Sequence, residues 1–477
     1  MIIKFGGKRN DFFLRSLILV FFLLCCTNLV FAQTIKRRPL TLHDAIQATV
    51  QNYPSLAVDA NRIISAQYHL SVIRDNRLPN LTLMDEATDG TNNVVSGDYF
   101  TMGVVPSITQ GKDNQGNNTF VSGNIGMAYG NWQIYDFGSN RALANATKSD
   151  INALQSQMNL DQQNLELQVA KYYFQLLTDY NIVAIQSNNL QRVTSIKNSV
   201  AALVKSGIKP GVDTSIANAE LSQARLNLMD AKEQYQLSRI NLKYLTGIDT
   251  TLIIPDTILF QKVNNGIDAI GTIADTTVKN KGHPLIEYYT ELYNLNSNLN
   301  VSYRRQYYPQ LSFTAAAWTR GSSITQDGVY QSNITTGFYP VYNNYLFGLT
   351  LSYNLFNIKR TRDKLKEQEM LTNASYQELK LQNTILNSLA SSADVEVKTN
   401  LDKLNEIPIQ LEAASRAYLQ QVALYNSGLS NVIDVDNTLY LLNRAENDKA
   451  NAIDNVWMAI LDKAYATNQL DNLIKVF

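Results

Sequence analysis

The second half of the chain restates the first. Pro54 and Pro79 recur as Pro284 and Pro309 at the same 25-residue interval (79 − 54 and 309 − 284). Each first proline follows a related stretch, Ala48-Thr49-Val50-Gln51-Asn52 and then Thr276-Thr277-Val278-Lys279-Asn280. Each second proline opens one, Leu81-Thr82-Leu83 and then Leu311-Ser312-Phe313. Gly207 and Asp213 return as Gly428 and Asp434, again equally spaced (213 − 207 and 434 − 428). Landmarks that keep one order and near-constant offsets mark two structural repeats, expected over residues 33–269 and 270–477. Whatever fold forms must therefore be built twice from one unit.

Within each repeat the hydrophobic period changes in the same order. A short helical stretch (about 41–77, then 270–305) leads to strands expected at about 78–84 and 309–319. Polar loops follow, 85–118 and 320–344, and then second strands at about 120–137 and 345–357. In the first of these, Val121, Ile125, Met127 and Tyr129 fall on one face; Ser122, Asn124, Gly126 and Ala128 fall on the other. Tyr345, Phe347, Leu349, Leu351, Tyr353 and Leu355 alternate with Gly348, Thr350, Ser352 and Asn354 in the second. A strand of a soluble sandwich would alternate in the same way. Long helices are expected next, at about 140–205 and 360–426. Their heptad rows, Val169, Leu176, Val183, Leu190 and Val397, Leu404, Leu411, Tyr418, Tyr425, mark supercoiled seams. Pro408 is expected to bend or break the second of them. Gly207 and Gly428 then turn the chain into return helices at about 213–246 and 431–473. Asp213 reads as a helix cap there, and residues 248–269 as a small middle belt.

The start of the chain carries an address. Lys4, Lys8, Arg9 and Arg15 precede the apolar run Leu17–Leu24, and Val30-Phe31-Ala32 suits cleavage before Gln33, so residues 1–32 read as a secretory signal. Cys25 and Cys26 lie inside it, and neither follows the small residue that lipidation requires. The processed chain would hold no cysteine, hence no disulfide and no thiol chemistry. With 41 basic and 41 acidic residues, nothing draws the protein toward nucleic acid. His43, His69 and His283 have no metal-ligand spacing, and no phosphate-binding or nucleophile-elbow motif is present. No enzyme activity, cofactor or metal is expected.

Beyond residue 33 no apolar run approaches the length of a spanning helix. An exported chain can still cross a membrane through alternating strands. Four such strands cannot close a barrel, whose smallest form needs about eight. Three copies would supply twelve, so a homotrimer is expected, its helices continuing the cylinder below the membrane.

Specific residues carry a resemblance to a known family. Trp132-Gln133-Ile134-Tyr135-Asp136-Phe137-Gly138 with Arg141, and Leu351-Ser352-Tyr353-Asn354-Leu355-Phe356-Asn357 with Arg360, resemble its strand–helix junctions. Tyr425-Asn426-Ser427-Gly428-Leu429-Ser430-Asn431-Val432-Ile433-Asp434-Val435 resembles its periplasmic tip. The family is that of TolC-like outer-membrane efflux channels, and the likeness covers essentially the whole processed chain. It implies a mixed fold, a membrane β-barrel continued by an α-helical barrel of coiled-coil helices, working as a passive exit duct of a tripartite efflux or type I secretion system. It implies tip turns (Ser206, Gly207, Ile208, Ser427, Gly428, Leu429) that meet a periplasmic adaptor, and through it an inner-membrane pump. It also implies an acidic aperture at Asp434. The family's second acid position holds Asn437 here, with Asp436 one residue earlier, and serine stands where valine usually precedes each tip glycine. A coiled-coil adhesin would account for the heptads but leaves the duplicated strands unexplained.

Overall fold

The computed structural model describes residues 39–91, 120–256 and 282–475 apart from positions 326, 328, 330 and 332. The secretory segment, residues 92–118 of the first polar loop and the belt beyond 256 lie outside the described residues. Helices α1 (Leu42–Asn52) and α2 (Pro54–Asp75) lead into strand β1 (Asn80–Thr91). Strand β2 (Phe120–Tyr135), the long helix α3 (Ser139–Lys205) and the return helix α4 (Val212–Thr246) complete the first repeat. The second follows the same order: α5 (Pro284–Arg305), β3 (Gln310–Ser322), β4 (Tyr342–Ser352), α6 (Asn357–Asn426) and α7 (Val432–Ala466), with a closing turn of helix α8 (Leu470–Ile474). The duplicated prolines have a local cause. Pro54 and Pro284 stand at the first position of α2 and α5, where a missing N–H costs nothing. Pro79 and Pro309 sit just before β1 and β3, where the chain leaves the helix.

Several boundaries differ from expectation. β1 runs on to Thr91, well into the anticipated loop, because every residue from Asn80 to Thr91 finds a partner on β2. β2 ends at Tyr135, since Phe137 (φ 50°) and Gly138 (φ 85°) turn left-handed. β4 begins at Tyr342 and stops at Ser352, where Asn354 Oδ1 accepts from the Phe356 N–H (3.2 Å) and folds the strand end into a turn. α7 ends at Ala466, before Asn468 (φ 56°). α6 continues unbroken through Pro408, which lies on an exposed face where water can take the carbonyl left free.

The strands form one antiparallel sheet in the order β1-β2-β3-β4. Directly opposed residues share a face, so the register assigns each side chain. One face reads Leu81 and Leu83 on β1, Ala128 and Gly130 on β2, Ala315 and Ala317 on β3, and Tyr345 and Phe347 on β4. Phe313, Leu349, Leu311 and Leu351 extend it toward the helices. The other face is mixed: Thr82, Met84 and Glu86, then Tyr129, Met127 and Ile125, then Ala316, Trp318 and Arg320. Seven β3 residues, Leu311 to Ala317, carry the apolar face over about 20 Å. That approaches the apolar band of about 25 Å on an outer-membrane barrel. The bulky row of β2 thus joins the mixed face, and its small row lies among leucines and aromatics. At the far end, the connection between β3 and β4 folds back on β2: Ser122 Oγ donates to Ile334 O (2.5 Å), and a Cβ at Gly337 would come within 2.3 Å of Ser122 O. Only glycine fits there.

At ~1.5 Å per residue, α3 and α6 are roughly 100 Å long, and α4 and α7 about half that. Each long helix runs from the sheet to a tip turn. α2 and α5 accompany α3 along the half nearer the sheet, and α4 and α7 run back from the tips. Where the halves meet lies the main core, with Val169, Tyr173, Leu176, Leu242, Ile253, Ile460 and Leu461 all at most 2% exposed. The heptad rows enter it through Val169, Leu176 and Val397. Tyr173 Oη donates to Leu40 O (2.7 Å), and the Leu40 N–H donates to Ile254 O (2.7 Å), so the segments before α1 and after α4 are both tied to α3. Among the described residues no helix is long and apolar enough to cross a membrane.

His283 joins this core to the start of α5. Fully buried, it accepts the Leu285 N–H at Nδ1 (3.1 Å) and donates from Nε2 to Tyr465 O (3.0 Å). Burial pushes the imidazole below its ordinary value, with the Tyr465 carbonyl opposing in part. Protonation would also remove the acceptor that caps α5. The folded form therefore binds fewer protons than the unfolded form. The His283 contribution is complete above the ordinary histidine range and is lost as pH falls below it, at no more than ~1.4 kcal/mol per pH unit. Asp454, pushed up to about 6 by burial, titrates in the same region with opposite sign. The measurement is the difference between wild-type and His283→Gln melting curves across pH 8 to about 5. A difference independent of pH would refute the assignment.

Candidate functional site

Two turns form the end of the helices remote from the sheet. Gly207 (φ 74°) and Gly428 (φ 79°) close α3 and α6 in left-handed conformations. The Ile208 N–H donates to Leu203 O (3.0 Å) and the Leu429 N–H to Leu424 O (2.9 Å), so each helix ends in the same six-residue loop. Ser206 and Ser427 are the C-caps. Ile208 is 61% and Leu429 76% exposed. Two apolar side chains thus stand free at equivalent points of the two turns, with the flanking serines exposed beside them.

Lys209 joins one turn to the other. Its Nζ donates to Ser430 O (2.6 Å) and toward Gly428 O (3.4 Å), and lies 5.2 Å from the centre of the Tyr425 ring. Tyr425, 2% exposed, packs with Val200, Ala217, Val432 and Val435 and donates toward Asp213 Oδ2 (3.4 Å). Burial, then the Asp213 carboxylate, push its phenol up to about 12. Asp213 is buried and caps nothing: the N-cap of α4 is Gly211, with no side-chain bond. Higher up, Arg192 donates from both terminal nitrogens to Glu446 (2.9 and 2.5 Å), and Gln186 donates to Asn443 and Asn447 (both 3.2 Å). The lower halves of the two repeats are therefore held together by polar contacts as much as by apolar ones.

The two aperture acids differ in setting. Asp434 lies exposed in the first turn of α7, its N–H donating to Asn431 Oδ1 (2.8 Å), so Asn431 is the cap. Ser430 Oγ donates to the Asp434 carboxylate (3.3 Å). Asp436 is half-buried in a narrow cleft with Glu220 of α4, lined by Val193, Ala217, Val432 and Leu439. Burial, then the Asp436 charge, hold Glu220 above the ordinary carboxylate range; burial also raises Asp436, opposed by the Glu220 hydrogen bond. The two carboxyls share a proton more readily than two charges. Lys209 and Glu220 had no local signal in the sequence, because their partners lie on the other repeat.

At the opposite end, Trp132 stands on the apolar side of the sheet and its Nε1 donates to Arg77 O (2.8 Å). The Phe137 ring packs edge-on to Tyr135 (4.7 Å) and stacks on Tyr308 (6.0 Å). Gly138 starts α3, with both Asp136 carboxylate oxygens occupied by the N–H groups of Gly138 (3.0 Å) and Asn140 (2.6 Å). Phe356, the counterpart of Phe137, is 95% exposed.

A sheet with one apolar face, long paired helices and turns at their far end define an outer-membrane channel subunit. The family model for outer membrane efflux proteins matches residues 45–248 and 299–459, and the chain belongs to that family. Solved structures agree in fold. The outer membrane protein VceC of Vibrio cholerae is 16% identical, with a TM-score of 0.68 over 89% of this chain and 95% of that one. The CmeC outer membrane channel of Campylobacter jejuni is 15% identical, with a TM-score of 0.70 over 90% and 86%. The open-state MtrE channel of Neisseria gonorrhoeae is 15% identical, with a TM-score of 0.67 over 90% and 89%. No match is found among curated proteins. The protein is an efflux duct of the outer membrane with a helical tunnel in the periplasm, and the adhesin alternative is set aside.

Proposed function

We propose that three copies of the chain form the duct, that its tip turns dock a periplasmic adaptor, and that Asp434 and Asp436 set the aperture there. The observation that carries this reading is the open sheet, whose outer strands β1 and β4 each keep one edge unpaired among the described residues. In lipid each unpaired backbone group costs several kcal/mol. Edge pairing among three copies removes that cost and makes a barrel of twelve strands. Ile208 and Leu429 supply adaptor-facing apolar contacts, framed by Ser206, Gly207, Ser427 and Gly428. The energy for transport comes from an inner-membrane pump reached through the adaptor. Asp434, the more exposed acid, attracts cations at the mouth; Asp436 contributes its charge when Glu220 holds the shared proton.

The test is single-channel recording from the detergent-extracted oligomer in planar bilayers. Asp434→Ala is expected to lower cation over anion selectivity about two- to fivefold, with cross-linking of the same sample trapping trimers. Unchanged selectivity would assign Asp434 to helix support alone, and an oligomer other than a trimer would overturn the stoichiometry.

A further inference from the structure

Basic residues gather at three of the four places where a strand meets its helix. Arg74 lies in the last turn of α2 and Arg77 just before β1, Arg304 and Arg305 close α5 before β3, and Lys359 and Arg360 open α6 after β4. All six are exposed, and among the described residues none makes an ion pair. Cations farther down the helices do pair, as Lys171 with Asp462 (2.6 Å) and Lys463 with Asp394 (2.6 Å). The chain as a whole is neutral, so this collar is a local excess. Asp75 and Asp136 lie in the same layer and offset two of these charges, which leaves the collar net positive. The far end of β1 carries the opposite sign, with Asp85, Glu86 and Asp89.

The aromatic rings give the collar its depth. Leu311 and Leu351 end the apolar face. Immediately below them, Tyr307 packs edge-on to Tyr353 (5.8 Å), and Tyr135, Phe137 and Tyr308 form a contiguous row of rings. Arg305 lies over Tyr308 (5.7 Å) and points an N–H toward Phe137 O (3.5 Å). Arg77 is joined to the same layer through Trp132. Aromatic girdles sit at headgroup level on membrane barrels. Arg305, through Tyr308 and Phe137, and Arg77, through the Trp132 bond to its carbonyl, therefore stand at the depth where lipid phosphates lie.

We propose that this collar is a binding surface for the phosphates of anionic phospholipids in the leaflet facing the helices. Planar guanidinium groups bind phosphate through two parallel hydrogen bonds. Burial of the apolar face brings them to the phosphates without any movement of the chain. Each cation near an anionic leaflet adds to the attraction, so the collar fixes the depth of the channel as well as its lipid neighbours. The proposal rests on membrane insertion of the sheet.

The experiment uses the full-length oligomer in nanodiscs of phosphatidylcholine containing phosphatidylglycerol as the minor lipid. Lipid retained on the protein is measured by native mass spectrometry. Wild type is expected to retain phosphatidylglycerol about tenfold over its share of the mixture. The combined variant Arg77→Gln, Arg304→Gln, Arg305→Gln is expected to lose most of that preference, and the matching Lys substitutions to keep part of it. Arg416→Gln, on a paired residue of α6, is expected to change nothing. Inorganic phosphate should displace the lipid no better than sodium chloride at equal ionic strength; stronger displacement would make the collar a site for soluble phosphate and overturn the proposal. Equal retention of both lipids by wild type, or an undiminished preference in the Gln variant, would overturn it too. Intact oligomers in pure phosphatidylcholine discs report insertion separately, so the membrane reading survives that failure.

Discussion

Phe174→Ala is expected to destabilise the channel by about 3–5 kcal/mol, the usual cost of emptying a buried aromatic site. Phe174 is 3% exposed and its ring lies flat against Trp457, 4.8 Å between centres and 4° between planes. The pair comes from α3 and α7, one helix from each repeat, and forms part of the core that also holds α1 and α8. A void there removes packing from both repeats together, because little slack exists for four converging elements to collapse inward. Denaturant unfolding of the full-length protein in detergent measures the loss. Hydrogen exchange across residues 453–464 should quicken in parallel. A loss below about 1 kcal/mol would mean that the two repeats are joined elsewhere.

Lys209→Met is expected to have the largest effect on the mouth. The ammonium makes a charge-assisted bond to Ser430 O and rests on the Tyr425 ring, so one residue of the first repeat holds the second tip turn in place. Such bonds contribute about 1.5–3 kcal/mol when shielded. Lys209 is only half-buried, which lowers the figure to roughly 1–2 kcal/mol. If the joined tips are the narrow state, their population relative to a parted state should fall about 5- to 30-fold. Methionine keeps the stem that covers Tyr425, so packing is retained while the donor is lost. Longer open intervals in single-channel records would bear this out. Openings indistinguishable from wild type would show that Tyr425 and Asp213 hold the tips without Lys209.

Much of the architecture is legible in the sequence. The strand, long helix, turn and return helix of each repeat follow from periods of two, three and a half, and from glycines at 207 and 428 whose positive φ no other residue adopts so readily. Both glycines close their long helices in left-handed conformations. Boundaries moved where long-range pairing outweighed local composition, as when β2 drew the polar Asp85–Thr91 into the sheet. Of the bend or break expected at Pro408, the break is absent, because a proline on an exposed helix face removes one bond without ending the helix.

The amino-acid sequence by itself determined the duplication, the kinds of element and their order, because each of these is written in contacts between near neighbours along the chain. Only the tertiary structure decided which face of β2 turns to the apolar side, since that depends on its register with strands from both repeats. It likewise placed Lys209 on the Ser430 carbonyl and Glu220 beside Asp436, more than 200 residues apart in each case. Periodicity names the residues that a face contains. What that face meets is settled by the packing of elements far apart in sequence, where no local pattern reaches.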